Sequence, residues 1–113
     1  MRVKVIRKHP LEWEIKQFPI FAKGTAISEM SEQCDSHFYD WHECVIDGHE
    51  TFVPISFVQD GKLKRDYNPT ELSAKVGDVL TVQEIVNAWL IVENAEGVVG
   101  WIPAENVVSA TML

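Results

Sequence analysis

The amino-acid sequence predicts an all-β chain built as two small barrels, and three observations carry that reading. Breakers are spread evenly: Pro10, Pro19, Gly24, Gly48, Pro54, Gly61, Pro69, Gly77, Gly97, Gly100 and Pro103 leave no long helical pattern between them. The pieces they bound are rich in Val, Ile, Thr, Phe and Trp, which suit a pleated, half-buried surface. The third observation is an internal repeat, in which one order of residues recurs in each half of the chain.

Taken in order, strands are predicted over 3–7, 25–30, 41–46, 51–54, 78–85, 89–93 and 98–103. Asp47-Gly48 and Glu96-Gly97 each fall between two such runs, as hairpin turns do. The best helical candidate, 10–18, is short and lies between two prolines. Many short strands with regular turn signals point to small barrels or sandwiches.

The repeat aligns Trp41 with Trp89, Gly48 near Gly97, Phe52-Val53-Pro54 with Trp101-Ile102-Pro103, and Val58 with Val107. Upstream, Gly24-Thr25-Ala26-Ile27 aligns with Gly77-Asp78-Val79-Leu80. The chain therefore reads as two domains, 1–58 with an N-terminal extension and 62–113, joined at Gln59-Asp60-Gly61. So short a linker implies that the copies pack together. The apolar residues left over, Leu11, Trp13, Ile15, Phe18, Ile20 and Phe21, are expected to line that interface or close the first barrel.

Lys plus Arg total 10 against 17 Asp plus Glu, a net charge of −7, which disfavours nucleic acid or an anionic membrane as partner. No run approaches the ~18 apolar residues of a membrane span. The opening residues carry charges with no apolar stretch behind them, so a cytoplasmic protein with reduced Cys34 and Cys44 is expected. Charge is also segregated. Residues 25–58 hold no Lys or Arg but seven carboxylates, which would suit a cationic ligand or the packing of the basic first segment.

The second copy resembles an SH3 domain. Asp66-Tyr67 is similar to the family's first-strand Asp-Tyr. Glu71-Leu72-Ser73 followed by Gly77-Asp78-Val79-Leu80-Thr81-Val82 is similar to its Glu-Leu-Ser and Gly-Asp-x-Leu-x-Val stretch. Trp89 stands where the first Trp of the family's Trp-Trp pair does, and Gly100–Val107 resembles Gly-Tyr-Ile-Pro-Ser-Asn-Tyr-Val. The whole chain is similar to small bacterial proteins of tandem SH3-like domains. The resemblance implies a non-enzymatic module that binds a peptide or protein segment across a row of aromatics.

The resemblance places candidate ligand-binding residues in both copies. In the first these are Trp41, Pro54 and Phe57, with Tyr39 and the acidic Glu32 and Asp35 of the preceding loop. In the second they are Tyr67, Trp89 and Pro103. Arg65 and Asn106 stand where the family has tyrosines, so the first copy is the expected binder, of a short and cationic peptide. An alternative is that the aromatics only hold copies or subunits together. A third reading is a small-molecule or metal-binding domain built on Cys34, His37, His42, Cys44 and His49. Those are zinc donors, but their spacing matches no common module, and the repeat puts Cys44 on Val92, a core position. No cofactor is expected. No phosphate-cradling loop or nucleophile elbow is present, and a small barrel has little room for an enclosed pocket of ~300 Å3.

Overall fold

The computed structural model describes residues 1–10, 16–31 and 41–110. Among them the regular elements are strands: β1 Arg2–Val5, β2 Ile27–Ser28, β3 Trp41–Ile46, β4 His49–Pro54, β5 Val58–Gln59, β6 Lys62–Leu63, β7 Val79–Val86, β8 Trp89–Glu93, β9 Val99–Pro103 and β10 Val107–Ser109. Two short 3-10 turns, Ile55–Phe57 and Ala104–Asn106, each follow a proline. The fold is all-β, with antiparallel sheets.

The chain forms two compact units, and they do not divide at residues 59–61. Unit 1 is Met1–Gln17 with Thr70–Leu113, and unit 2 is Phe18–Pro69. The reason lies in Asp60-Gly61. Both residues have positive φ, 53° and 73°, the combination that closes a two-residue hairpin whose twist matches its strands. What reads as a linker is the turn between β5 and β6, which pair as Val58 with Leu63 and Gln59 with Lys62.

Unit 1 is a five-stranded sheet in the order β10-β1-β7-β8-β9. The N-terminal strand β1 sits in its interior, between β7 and β10. Alternation explains why it fits. Val3 and Val5 point inward and are 4% and 0% exposed, while Arg2 stays in solvent. They join Leu72, Ala74, Leu80, Leu90, Val92 and Ile102 in one core cluster. A bulge between Val82 and Glu84 shifts the register of β7 with β8, which pair on both sides of it, while β1 pairs only with the first part of β7, Val79 to Thr81. The Asn94 carboxamide accepts from the Glu96 and Val98 amides and organises the β8–β9 turn.

Unit 2 repeats several of these backbone bonds, with β6 in the place of β1. The Leu63 amide donates to Thr25 O and the Gly24 amide to Leu63 O; in unit 1 Val5 donates to Asp78 O and Gly77 to Val5 O. The Lys64 amide reaches Phe57 O as the Ile6 amide reaches Asn106 O. Beyond the strand, Tyr67 and Phe21 exchange two backbone bonds, and so do His9 and Ala74. Strands β2, β3 and β4 then follow as β7, β8 and β9 do. The Asp47-Gly48 turn, with φ of 49° and 80°, closes β3 onto β4 as its composition predicts.

Candidate functional site

In unit 2 the site grows from three pieces of chain. Strands β3 and β4 pair in register so that Trp41 lies opposite Pro54. Pro54 starts the 3-10 turn that delivers Phe57, and β6 continues into Arg65, Asp66 and Tyr67. The hairpin at Asp60-Gly61 folds this last segment back, so Tyr67 meets Phe57 edge-on with ring centroids 5.5 Å apart. The Tyr67 hydroxyl donates to the Phe52 carbonyl at 2.6 Å. The Arg65 guanidinium lies over the face of Phe57, 4.2 Å from the centroid. The Asp66 carboxylate accepts from the Lys23 amide at 2.8 Å and secures the same segment.

Tyr67 is the residue whose placement differs most from the sequence reading. It was expected among the aromatics of the second copy, with Trp89 and Pro103; it stands instead with Phe57 of the first. Arg65, read only as a departure from a tyrosine position, turns out to cap an aromatic ring. Trp41 is 5%, Phe57 3% and Tyr67 2% exposed. The cluster is therefore closed, with no broad aromatic face in solvent. Tyr39, Glu32 and Asp35 lie outside the described residues, as do Cys34 and His37.

In unit 1 the equivalent place holds different chemistry. Trp89 lies opposite Pro103 in register. The position equivalent to Tyr67 is His9, whose ring meets Trp89 edge-on at 5.8 Å and whose Nε2 is 3.0 Å from Glu71 Oε1. Asn106, 8% exposed, sends its Nδ2 toward the Arg7 carbonyl at 3.4 Å. His9 was missed by sequence reasoning, because the first strand was assigned to the other copy. Its match with Tyr67 is visible only once β1 is placed beside β7. Trp89 is 7% exposed, so this cluster too is closed.

The His/Cys pattern separates by role. Cys44 and Ile46 face the core of unit 2, and burial pushes the Cys44 thiol from 9.0 up to about 11. A thiol held protonated is a poor metal ligand and a poor nucleophile. His42 Nδ1 lies 2.7 Å from the Ser31 carbonyl, to which it donates. The His49 ring packs against Phe18 and Phe21, at 6.2 and 5.6 Å. Among the described residues no three His, Cys, Asp or Glu side chains gather where they would hold a metal. Nor is any helix among them long and apolar enough to cross a membrane.

Residues 61–109 match the family model of the variant SH3 domain and are similar to that family. No curated protein and no solved structure matches the chain. The matched stretch is divided by the fold: 61–69 belong to unit 2, and 70–109 to unit 1. The place that β6 would take beside β7 is held by β1.

Proposed function

We propose that the chain is a non-enzymatic protein-binding module of two SH3-like units. Its ligand-binding site is the Trp41, Pro54, Phe57 and Tyr67 cluster of unit 2, and its ligand a short peptide segment bearing an arginine. The variant SH3 match supports a protein-binding role in general. One observation carries the finer reading: the Phe57 face already holds a guanidinium, that of Arg65 at 4.2 Å. A ring edged by Tyr67 and covered by a cation is a seat of the right chemistry for a second cation. Arg65 then acts as the resident occupant, and a peptide arginine binds by displacing it. The acidic residues Glu32 and Asp35, on the same segment of sequence, would steer such a ligand.

The test is titration of an arginine-bearing peptide, and the same peptide with norleucine in its place, against wild type and Arg65→Ala. Removing the occupant is expected to tighten binding of the arginine peptide by roughly two- to five-fold, the worth of an exposed cation–π contact of ~0.5–1 kcal/mol. The norleucine peptide should not gain. Weaker binding to Arg65→Ala, or none by either protein, contradicts the proposal.

A second reading is favoured by burial. With Trp41 and Trp89 only 5% and 7% exposed, the aromatics serve as well to hold the units' own interiors. In that case tryptophan emission stays blue and resists acrylamide in wild type and Arg65→Ala alike.

A further inference from the structure

The charge segregation of the sequence has a place in the fold. The basic first segment supplies β1 of unit 1, and the acidic stretch supplies β2, β3 and β4 of unit 2. Val3 and Val5 are in the core, so Arg2 and Lys4 stand on the opposite face of the sheet. There Lys4 lies between Val79 of β7 and Val108 of β10, and Arg2 lies beside Thr81. Val79 and Val108 are 45% and 42% exposed. Among the described residues neither Arg2 nor Lys4 has an ion-pair partner. Glu93 is across Thr81 on this face, one strand farther from Arg2. Two cations thus sit among apolar side chains that nothing in the chain covers.

The outer face of β3 and β4 is the complement. Cys44 and Ile46 are buried in the core, so Glu43 and Val45 point the other way, and their cross-strand partners are Phe52 and Glu50. Glu43 and Glu50 are exposed, while Val45 and Phe52 are half-buried. Among the described residues Glu43 has no ion-pair partner. The spacings agree as well. Arg2 and Lys4, two residues apart on one strand, are separated by ~7 Å. Glu43 and Glu50, diagonal neighbours on paired strands, are separated by ~7–8 Å. Pairing of the unit 1 face with itself would instead set cation against cation. We propose that the two faces join between copies of the chain, Lys4 and Arg2 of one against Glu43 and Glu50 of the next, with Val79 and Val108 against Phe52. The contact is heterologous, so the copies associate head to tail. The net charge of −7 on each chain opposes approach at long range. Association therefore belongs to an ionic strength of ~0.15 M, where repulsion beyond ~8 Å is screened.

The test is light scattering on full-length wild type, Lys4→Glu and Glu43→Lys at ~0.15 M salt. Wild type is expected to rise from one chain mass to two or more as its concentration approaches ~1 mM. Each variant alone sets like charges together and should stay at one chain mass. Mixed in equal amounts, the variants should recover the association, because the unaltered Lys4 of one meets the unaltered Glu43 of the other. A wild type that stays at one chain mass overturns the proposal and leaves the face to an acidic partner other than this chain. Association that survives in either variant alone, or that the mixture does not restore, overturns it too. If either variant lacks the circular dichroism of the folded wild type, Arg2→Glu and Glu50→Lys are mixed in the same way, with the same outcomes decisive.

Discussion

Gly100→Ala tests the packing of unit 1 at its tightest point. A Cβ at residue 100 would lie 2.8 Å from the Leu72 amide nitrogen, 2.9 Å from the Thr70 carbonyl oxygen and 3.1 Å from the Glu71 carbonyl carbon. All three are backbone atoms, so no side chain can rotate away. They belong to the segment that runs parallel to β9 and exchanges two bonds with Trp101, Trp101 N to Thr70 O at 3.1 Å and Leu72 N to Trp101 O at 2.8 Å. The methyl must push the 70–72 segment off the strand. Overpacking of this kind costs ~1–3 kcal/mol. Two strained hydrogen bonds add ~0.5–1.5 kcal/mol each when lost, and Leu72, 3% exposed, loses part of its burial. The expected loss is ~3 kcal/mol, read as a lowered midpoint in urea followed by tryptophan fluorescence. Gly97→Ala is the control. It has open space around its Cβ position but a φ of +80°, so it should lose only the ~1–2 kcal/mol of left-handed strain. A loss below ~1 kcal/mol for Gly100→Ala, or a larger loss for Gly97→Ala, would refute the packing argument.

Three further outcomes are expected. Tyr67→Phe removes the donor to the Phe52 carbonyl and should lower the stability of unit 2 by ~1–1.5 kcal/mol while leaving unit 1 unchanged, as read by amide hydrogen exchange. Equal loss of protection in β7 to β9 would contradict the placement of Tyr67. Cys44, with its thiol pushed up to about 11, favours the folded state fully below its unfolded value near 9.0. That contribution is lost as pH rises through about 11, so stability should fall across this window. Cys44→Val, which copies Val92 of the equivalent strand, should flatten that fall; an unchanged alkaline profile would show that another group controls it. The thiol should also react slowly with a disulfide reagent at pH 8 in the folded protein and quickly in urea, and fast reaction of Cys44 in both would count against its burial.

Much of this architecture is legible in the sequence, and the part that is not has a definite cause. β3 and β8 begin and end where their Trp, Val and Ile runs predict, and Asp47-Gly48 turns where its residue types require. Alternation shows which residues of a strand face the core, but not which neighbouring strand it joins. Val3 and Val5 would fit beside β2 as well as beside β7 by pattern alone. The decisive local signal was Asp60-Gly61, a hairpin dipeptide between two short apolar runs, which reads as a linker when the copies are taken to be sequential. Placing β6 on β5 moves Tyr67 to Phe57 and leaves the slot by β7 to β1. The same step explains why His9 escaped notice and why Arg65 acquired a role. β5, β6 and β10 are two or three residues long, too short for periodicity to declare them.

The central claim is that β1 lies between β7 and β10 while β6 pairs with β5, and backbone NOEs in an isotope-labelled sample test it directly. The account predicts cross-strand contacts between Val5 and Val107 and between Leu63 and Val58, the pairs observed in the two sheets. Contacts between Val5 and Val58, together with contacts between Leu63 and Val107, would place β1 on β5 and β6 on β10 and would contradict it.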